Sequence, residues 1–514
     1  MAMQGQIGID VGGTNTDAVL MRGSTLHGAV KTPTTPDVMS GITTALRELL
    51  QGAGRQPTAI GSVMIGTTHF TNAVIERRAL ERVAAIRIGL PAAYALKPFA
   101  GWPEDLRRAV AGPSYLLRGG HEYDGRPIVP FDRDAMKRAA DEIAAEGLHS
   151  VAITAVFSPL TNAAELEAAE ILRAACPGIK VTLSSDLGRI GLLERENATL
   201  LNASLRGLAS RTTAAFRQSI IESGLNVPLY LTQNDGTLMS AEVAEEFPVL
   251  CFASGPTNSM RGASHLAGLQ DAVVLDIGGT TTDIGVLHHG FPREANALVE
   301  VGGVRTQFRM PDVFSIGLGG GTRVSRDPLR IGPSSVGYRL QQSALVFGGT
   351  ELTLTDVGVA AGLIDLGDRS AAMRLPGSLV DDVQTWVKSQ LEQAVDRIKT
   401  QSGDVRVVAV GGGAFLVPDR LDGVAEVVRV PHSGVANAIG AAMAQVSGEI
   451  DRIFHDDERE QALAKARKLA EDRAIAAGAK PDNLILADME DMPLAYIPGN
   501  ARRVRARVIG DIAV

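Results

Sequence analysis

Short apolar runs and amphipathic stretches alternate along the chain in the order of an α/β protein. "QIGIDVGG" reads as an apolar strand breaking into a glycine turn. "TDAVLMRG" and "LHGAVKT" read as two further strands, so the loop at 11–16 joins the first two in a hairpin. A helical pattern with Asp37 as its N-cap follows, then the strand "SVMIGTT" and a helix opening on "TTHFTNAVIERR". After the strand "ERVAAIRIG", residues 91–131 are rich in Pro, Gly, Arg and Tyr and only weakly periodic. They predict an irregular insertion or a small strand pair.

Alternation then resumes as helix, strand, helix, strand to about residue 183, which predicts parallel strands. A long helical stretch over 190–222 reads as a bridge between two halves. The strand–turn–strand pattern returns in "DAVVLDIGGTTTDIGVLHHG", followed by the glycine loop "GLGGGT" at 317–322. A helix beginning near 379, the buried strand "VRVVAVGGGAFLV" and a small-residue helix "SGVANAIGAAMAQVSG" come next. The end is a charged helix, "DDEREQALAKARKLAEDRAIAAG", with two strands.

One pattern occurs twice. "DVGGTNTD" at 10–17 and "DIGGTTTD" at 276–283 share six of eight positions. At average residue usage such a match is expected by chance about once in a hundred chains of this length. Each copy joins two strands, which separates it from the dinucleotide-binding turn between a strand and a helix, and no Gly-x-x-x-x-Gly-Lys-Ser/Thr run occurs. Glycines without Cβ allow close backbone approach, and successive N–H groups in such a turn can cradle an anion. Asp10 and Asp276 end buried strands, where a carboxylate needs a cation or a partner. Mg²⁺ carrying waters between carboxylate and phosphate meets that need, and two such hairpins across a cleft would clamp a polyphosphate.

Composition narrows the classes. The 514 residues suggest about three domains or two large ones. Charged residues at 21% and hydrophobic ones at 45% are ordinary for a globular protein. A net charge of −8 and 4% aromatics argue against a nucleic-acid binder. Two cysteines, Cys176 and Cys251, stand in no metal or redox spacing and predict a reducing, cytoplasmic setting. No signal peptide or membrane span is expected.

The two turns resemble the phosphate-1 and phosphate-2 motifs of the actin, sugar kinase and heat-shock chaperone superfamily. "VVAVGGGA" at 407–414 resembles its adenosine loop. Within it the chain resembles the hydantoinase A/5-oxoprolinase family, through "IGTTHFTNAVIERR" at 65–78 and then "ERENATLLNASL", "ASGPTNSMRGA", "GLGGGT" and "LTLTDVGVAAGLID" in family order. The resemblance covers about 5–450 and looks like the short form of the family, without the B-type region.

It implies an α/β fold of two actin-like (ribonuclease H-like) ATPase halves around a nucleotide cleft. The first is expected over 1–188, the second over 189–450 and a helical and strand tail over 451–514. It implies an ATP- and Mg²⁺-dependent hydrolase that opens a cyclic amide or imide of the hydantoin, 5-oxoproline or lactam type by phosphorylating the carbonyl oxygen. The alternatives are an ATP-using carboxylase subunit, a small-molecule kinase and a non-enzymatic ATP-gated scaffold. A separate subunit supplying the B-type function, and an oligomer, are expected partners.

By position, Asp10 and Asp276 are the metal residues, with Asp17 and Asp283 closing each motif to orient its threonines or to act as base. Gly12, Gly13, Thr14, Thr16, Gly278, Gly279, Thr280 and Thr281 are assigned to the phosphates, and Gly411, Gly412 and Gly413 to adenosine. Thr67, Thr68, His69 and Asn72, at a strand-to-helix turn, are assigned to the substrate. Gly319 and Gly320 are assigned to the substrate too, or else allow a tight crossing of the chain. Ser254 either lines the same cleft or caps a helix.

Overall fold

A computed structural model describes residues 4–12, 15–34, 38–52, 60–188, 191–295, 299–400, 402–455, 457–495 and 500–513. Strands β1 (Gly5–Val11), β2 (Asn15–Arg22), β3 (Thr25–Pro33) and β4 (Ile60–Thr67) follow the expected order. The helices α1 (Val38–Gly52) and α2 (His69–Glu76) flank β4 in sequence. Asp37, the expected cap of α1, lies outside the described residues.

Two sheets share one local plan. In the first, β1 pairs antiparallel with β2, β2 antiparallel with β3, and β1 parallel with β4. In the second, Ala272–Ile277 pairs antiparallel with Thr282–His288, that strand antiparallel with Val313–Ile316, and Ala272–Ile277 parallel with Val405–Val410. The central strands β1, β4, Ala272–Ile277 and Val405–Val410 are buried along most of their length and read as apolar runs, while the outer β3 and Val313–Ile316 are more exposed.

The first sheet reaches well beyond its half of the sequence. Its nine strands run in the order 479–493, 502–512, 446–454, 238–240, 229–232, β4, β1, β2, β3. Sheet pairing therefore crosses both expected boundaries, near 188 and 450. The strands after 451 extend this sheet. Their helix, Arg459–Ala476, turns the stripe Ala462, Ala466, Ala470 and Ala474 inward and leaves its charged face to solvent.

A third, all-parallel sheet holds 111–118, 83–90, 150–155 and 180–183. It corrects the reading of 91–131 as irregular: Glu104–Val110 is a helix and Ala111–Arg118 a parallel edge strand. The helix is too short to show a period, and the edge strand is half-exposed along most of its length, so neither left a clear apolar pattern. The helix Leu192–Glu222 is also placed differently from expectation. Its Leu200, Leu201 and Leu205 share one core with Ile7 and Ile65 of the first sheet and Val83 and Ala152 of the third, so it joins those two sheets.

Between the two large sheets cross the helices Ser254–Ala267 and Ala436–Met443. Met260 and Ala263 pack on Val274 and Val408, while Ala438 and Ala442 pack on Val19 and Met21. The helices touch backbone to backbone. A Cβ on Gly262 would stand 1.9 Å from Ala436 O, and one on Gly440 1.8 Å from Asn258 O. Among the described residues no helix is long and apolar enough to cross a membrane, and Cys176 and Cys251 are free.

Candidate active site

The two ends of the repeated octapeptide pair the same way in both copies. Asp10 stands opposite Asp17 and Val11 opposite Thr16; Asp276 stands opposite Asp283 and Ile277 opposite Thr282. The Gly12 N–H donates to Asn15 O at 3.1 Å, and the Gly278 N–H to Thr281 O at 2.9 Å. Directly opposed residues project from one face of a sheet. The register of β2 with β3 then adds Lys31 opposite Asp17, and that of the second sheet adds Ser315 opposite Asp283. Each sheet thus carries a row of three side chains: Asp10, Asp17 and Lys31 on one, Asp276, Asp283 and Ser315 on the other.

These rows give the closing residues partners from neighbouring strands. Asp17 binds Lys31 Nζ at 2.7 and 2.8 Å through its two oxygens, and Asp283 accepts from the Ser315 hydroxyl. Among the described residues, neither bonds a threonine side chain of its own motif. Thr16 projects to the opposite face, buried, with its hydroxyl 3.3 Å from that of Thr34. Its counterpart Thr282 donates to Leu318 O at 2.7 Å. Thr34 Oγ1 in turn donates to Gly12 O at 2.8 Å, so the Thr16 hydroxyl is tied to the glycine turn through Thr34, on the face opposite Asp10, Asp17 and Lys31. Gly13 and Thr14 lie outside the described residues.

Burial, then the neighbouring Asp17, push the Asp10 carboxyl up to about 6, and the Asn437 amide, donating to Oδ2 at 3.3 Å, pulls it back. Burial, then Asp283, push Asp276 up to about 7, with a further push from Asp10 on the opposite sheet; Ser259 and Lys31 oppose it. Asn258 and Ser259, adjacent on the helix Ser254–Ala267, act on Asp10 and Asp276 respectively, and Asn437 of the other crossing helix bonds Asp10, so both rows border the same helix crossing. Asp17 and Asp283 are also raised, by burial. The acids nearest the two turns are the buried carboxyls of Asp10 and Asp276. Two carboxylates would fit a cation that takes one or two protein oxygens and keeps its waters, as Mg²⁺ does.

The tip of the second turn is open: Thr280 and Thr281 are exposed, and a Cβ on Gly279 would meet nothing within 4 Å. Its back is braced. Gly320 N–H donates to Gly278 O at 3.0 Å and Gly321 N–H to Gly279 O at 2.7 Å, while Gly319 N–H goes to Thr322 Oγ1 at 2.9 Å. Gly319 and Gly320 thus sit against the turn with their N–H groups already used, as a tight crossing of the chain. On its other side, a Cβ on Gly411 would stand 2.4 Å from Asp276 Oδ1, and Gly413 N–H donates to Ile277 O at 2.7 Å. Gly412 alone of the three faces open space. Beyond it Leu416 and Val417 line a cavity of about 400 Å³, walled also by Leu354, Val357 and Val383.

Thr67 pairs with Val11, so the start of α2 lies beside the first turn. Ser254 staples it there, accepting from Thr67 N–H at 3.2 Å and donating to Thr67 O at 3.0 Å. The Thr67 hydroxyl accepts from His69 N–H at 3.2 Å. Asn72 is exposed and donates to Thr68 Oγ1 at 3.3 Å. His69 is half-buried, and burial holds its imidazole below the usual histidine range. Lys31, Asn258, Ser259 and Asn437 are site residues that the motif reading missed. Asn258 and Asn437 carried a signal, each a lone amide in a run of small residues on a crossing helix.

Paired sheets with matched turns and crossing helices define a two-lobed α/β fold of the actin-like ATPase type. Residues 6–176 match the hydantoinase/oxoprolinase N-terminal region and residues 195–372 the hydantoinase/oxoprolinase domain, and the chain belongs to that family. The caprolactamase subunit alpha of Pseudomonas jessenii is 28% identical over 426 residues, 77% of this chain and 60% of that protein. The acetophenone carboxylase gamma subunit of Aromatoleum aromaticum is 26% identical over 396 residues, 70% and 53% respectively. The chain thus spans three fifths or less of these two relatives. Among solved structures, the ATP-dependent caprolactamase of P. jessenii superposes with a TM-score of 0.79 at 21% identity, covering 99% of this chain and 88% of that one. Nucleotide-free acetone carboxylase gives 0.71 at 17%, covering 100% and 88%. At these identities the likeness establishes the fold.

Proposed function

We propose that the chain is an ATP-dependent hydrolase that opens a cyclic amide or imide, of lactam, hydantoin or 5-oxoproline type, with a second subunit completing the enzyme. The observation that carries this reading is the pair of matched aspartate rows on one cleft, beside turns whose backbones lie close to the acids. Such amides resist water near neutral pH. The chemistry ATP supplies when bound is to make the ring carbonyl oxygen a leaving group by phosphorylating it. Asp10 and Asp276 would hold Mg²⁺, which screens phosphate charge there. Gly12, Gly278, Gly279, Thr280 and Thr281 position the phosphates, and Gly412 admits the adenosine. Thr68, His69 and Asn72 line the substrate side, where a largely neutral His69 can accept a hydrogen bond or a proton. The subunit names of both curated relatives support a partner.

A carboxylase subunit is the second reading, favoured by the likeness to the acetophenone carboxylase gamma subunit. The test is ADP release with Mg²⁺ against lactams, hydantoins, 5-oxoproline and cyclic imides, with and without bicarbonate, and products weighed by mass spectrometry. Ring-opened product matching ADP one for one supports the hydrolase. Bicarbonate-dependent turnover of a ketone selects the carboxylase, and a stable phosphorylated product selects a kinase.

A further inference from the structure

The two rows differ at one position. Asp283 is satisfied by a serine hydroxyl, and Asp17, at the same place on the same kind of hairpin, is met by a lysine. The second sheet is therefore an internal control: an aspartate here does not need a cation to be built into the fold. A lysine on β3 adds a charge that the hairpin itself does not require. That charge faces the cleft. Lys31 shares a face with Asp10 and Asp17, its side chain is 41% exposed, and two of its contacts go to the oxygens of Asp17. An ammonium group has three N–H donors. Its field also acts on Asp10 and, across the cleft, on Asp276.

We propose that Lys31 is a catalytic residue of the nucleotide site, the cation that contacts the terminal phosphate of ATP, with Asp17 as the residue that positions it. The proposal rests on the nucleotide reading above. It makes the cleft electrically lopsided: the outermost phosphate lies toward the first turn, where the fixed cation is, and the rest of the nucleotide toward the second turn and Gly412. The glycine loop at 411–413 independently lies on that second side, packed against Ile277 and Asp276.

The test is calorimetric binding of a non-hydrolysable ATP analogue and of ADP, both with Mg²⁺, to the unaltered chain and to Lys31→Met and Lys31→Arg. Loss of a charge-assisted contact to the last phosphate weakens the analogue about tenfold or more in Lys31→Met and ADP less than about twofold, with Lys31→Arg closer to the unaltered chain. Equal weakening of both nucleotides, or no weakening, overturns the proposal while leaving the nucleotide site standing. Failure of the unaltered chain to bind either nucleotide overturns both. Lys31→Met leaves Asp17 without its cation. Should that variant not fold, the double variant Asp17→Asn/Lys31→Met removes the orphaned charge and must show the same selective loss.

Discussion

The first and second lobes are built on one hairpin and finished differently. Both present two aspartates in register, and both fold the glycine turn with the same backbone bond. The first is closed by a lysine, the second by a serine and by two glycine loops at 319–321 and 411–413. The second turn is held on both sides by backbone, while the first borders the side chains Thr67, Thr68 and His69. The duplicated sequence sets geometry, and the unduplicated strands set chemistry.

The largest break in that comparison should come from the shared aspartates. Asp10→Asn and Asp276→Asn are each expected to cut Mg²⁺-dependent ADP release by about a hundredfold or more, because each removes one of the two carboxylates proposed to hold the cation. The same changes should not unfold the chain. Both folded carboxyls sit above their unfolded value, so the folded state binds more protons, and its stability falls as pH rises from about 4 to about 6 for Asp10 and about 7 for Asp276. A neutral amide removes that penalty. In metal-free buffer at pH 8 the unfolding midpoint of either variant should rise by roughly a few degrees; a fall would show that the charge is not strained.

The next effect is on the glycine loop. Gly411→Ala drives a Cβ onto Asp276 at a residue with φ 87°, and is expected to cost about 1–3 kcal/mol and most nucleotide affinity. Gly412→Ala, in open space, should leave stability unchanged and raise the KM for ATP severalfold, as thermal melts and initial rates would reveal. Smaller still is the proton linkage. Mg²⁺–nucleotide binding should tighten between about pH 6 and pH 7.5 as Asp276 ionises, releasing a proton detectable by calorimetry in buffers of different ionisation enthalpy. Asp276→Asn should reduce the release to the smaller part contributed by Asp10. The smallest expected change is in Ser315→Ala, about 1 kcal/mol of stability with ATP-over-ADP selectivity untouched. It sets the scale against which Lys31→Met is judged.

The hairpins were legible because identical local sequence imposes identical register within eight residues. The rows were not, since their third members come from strands 14 residues beyond Asp17 and 32 beyond Asp283, and register between distant strands leaves no local pattern. Thr16 shows the same limit: it belongs to the motif, and only the pleat shows that it lies on the face opposite Asp17. Asn258 and Asn437 needed the helix crossing to give them a direction. The tail strands join the first sheet through a pairing of Leu238 with Val446 that no periodicity foretells.

The crossing at Gly262 and Gly440 has a consequence for the cleft. Helices that meet through side chains hold their sheets apart by whatever those side chains measure, and a single substitution resets the distance. Here the spacer has zero thickness, because one backbone lies directly on the other. The width of the gap between the two aspartate rows is thereby gauged by two absent methyl groups, at a crossing whose Asn258 and Asn437 reach Asp10. A single added carbon at either glycine would be read out as a change in the reach between Asp10 and Asp276.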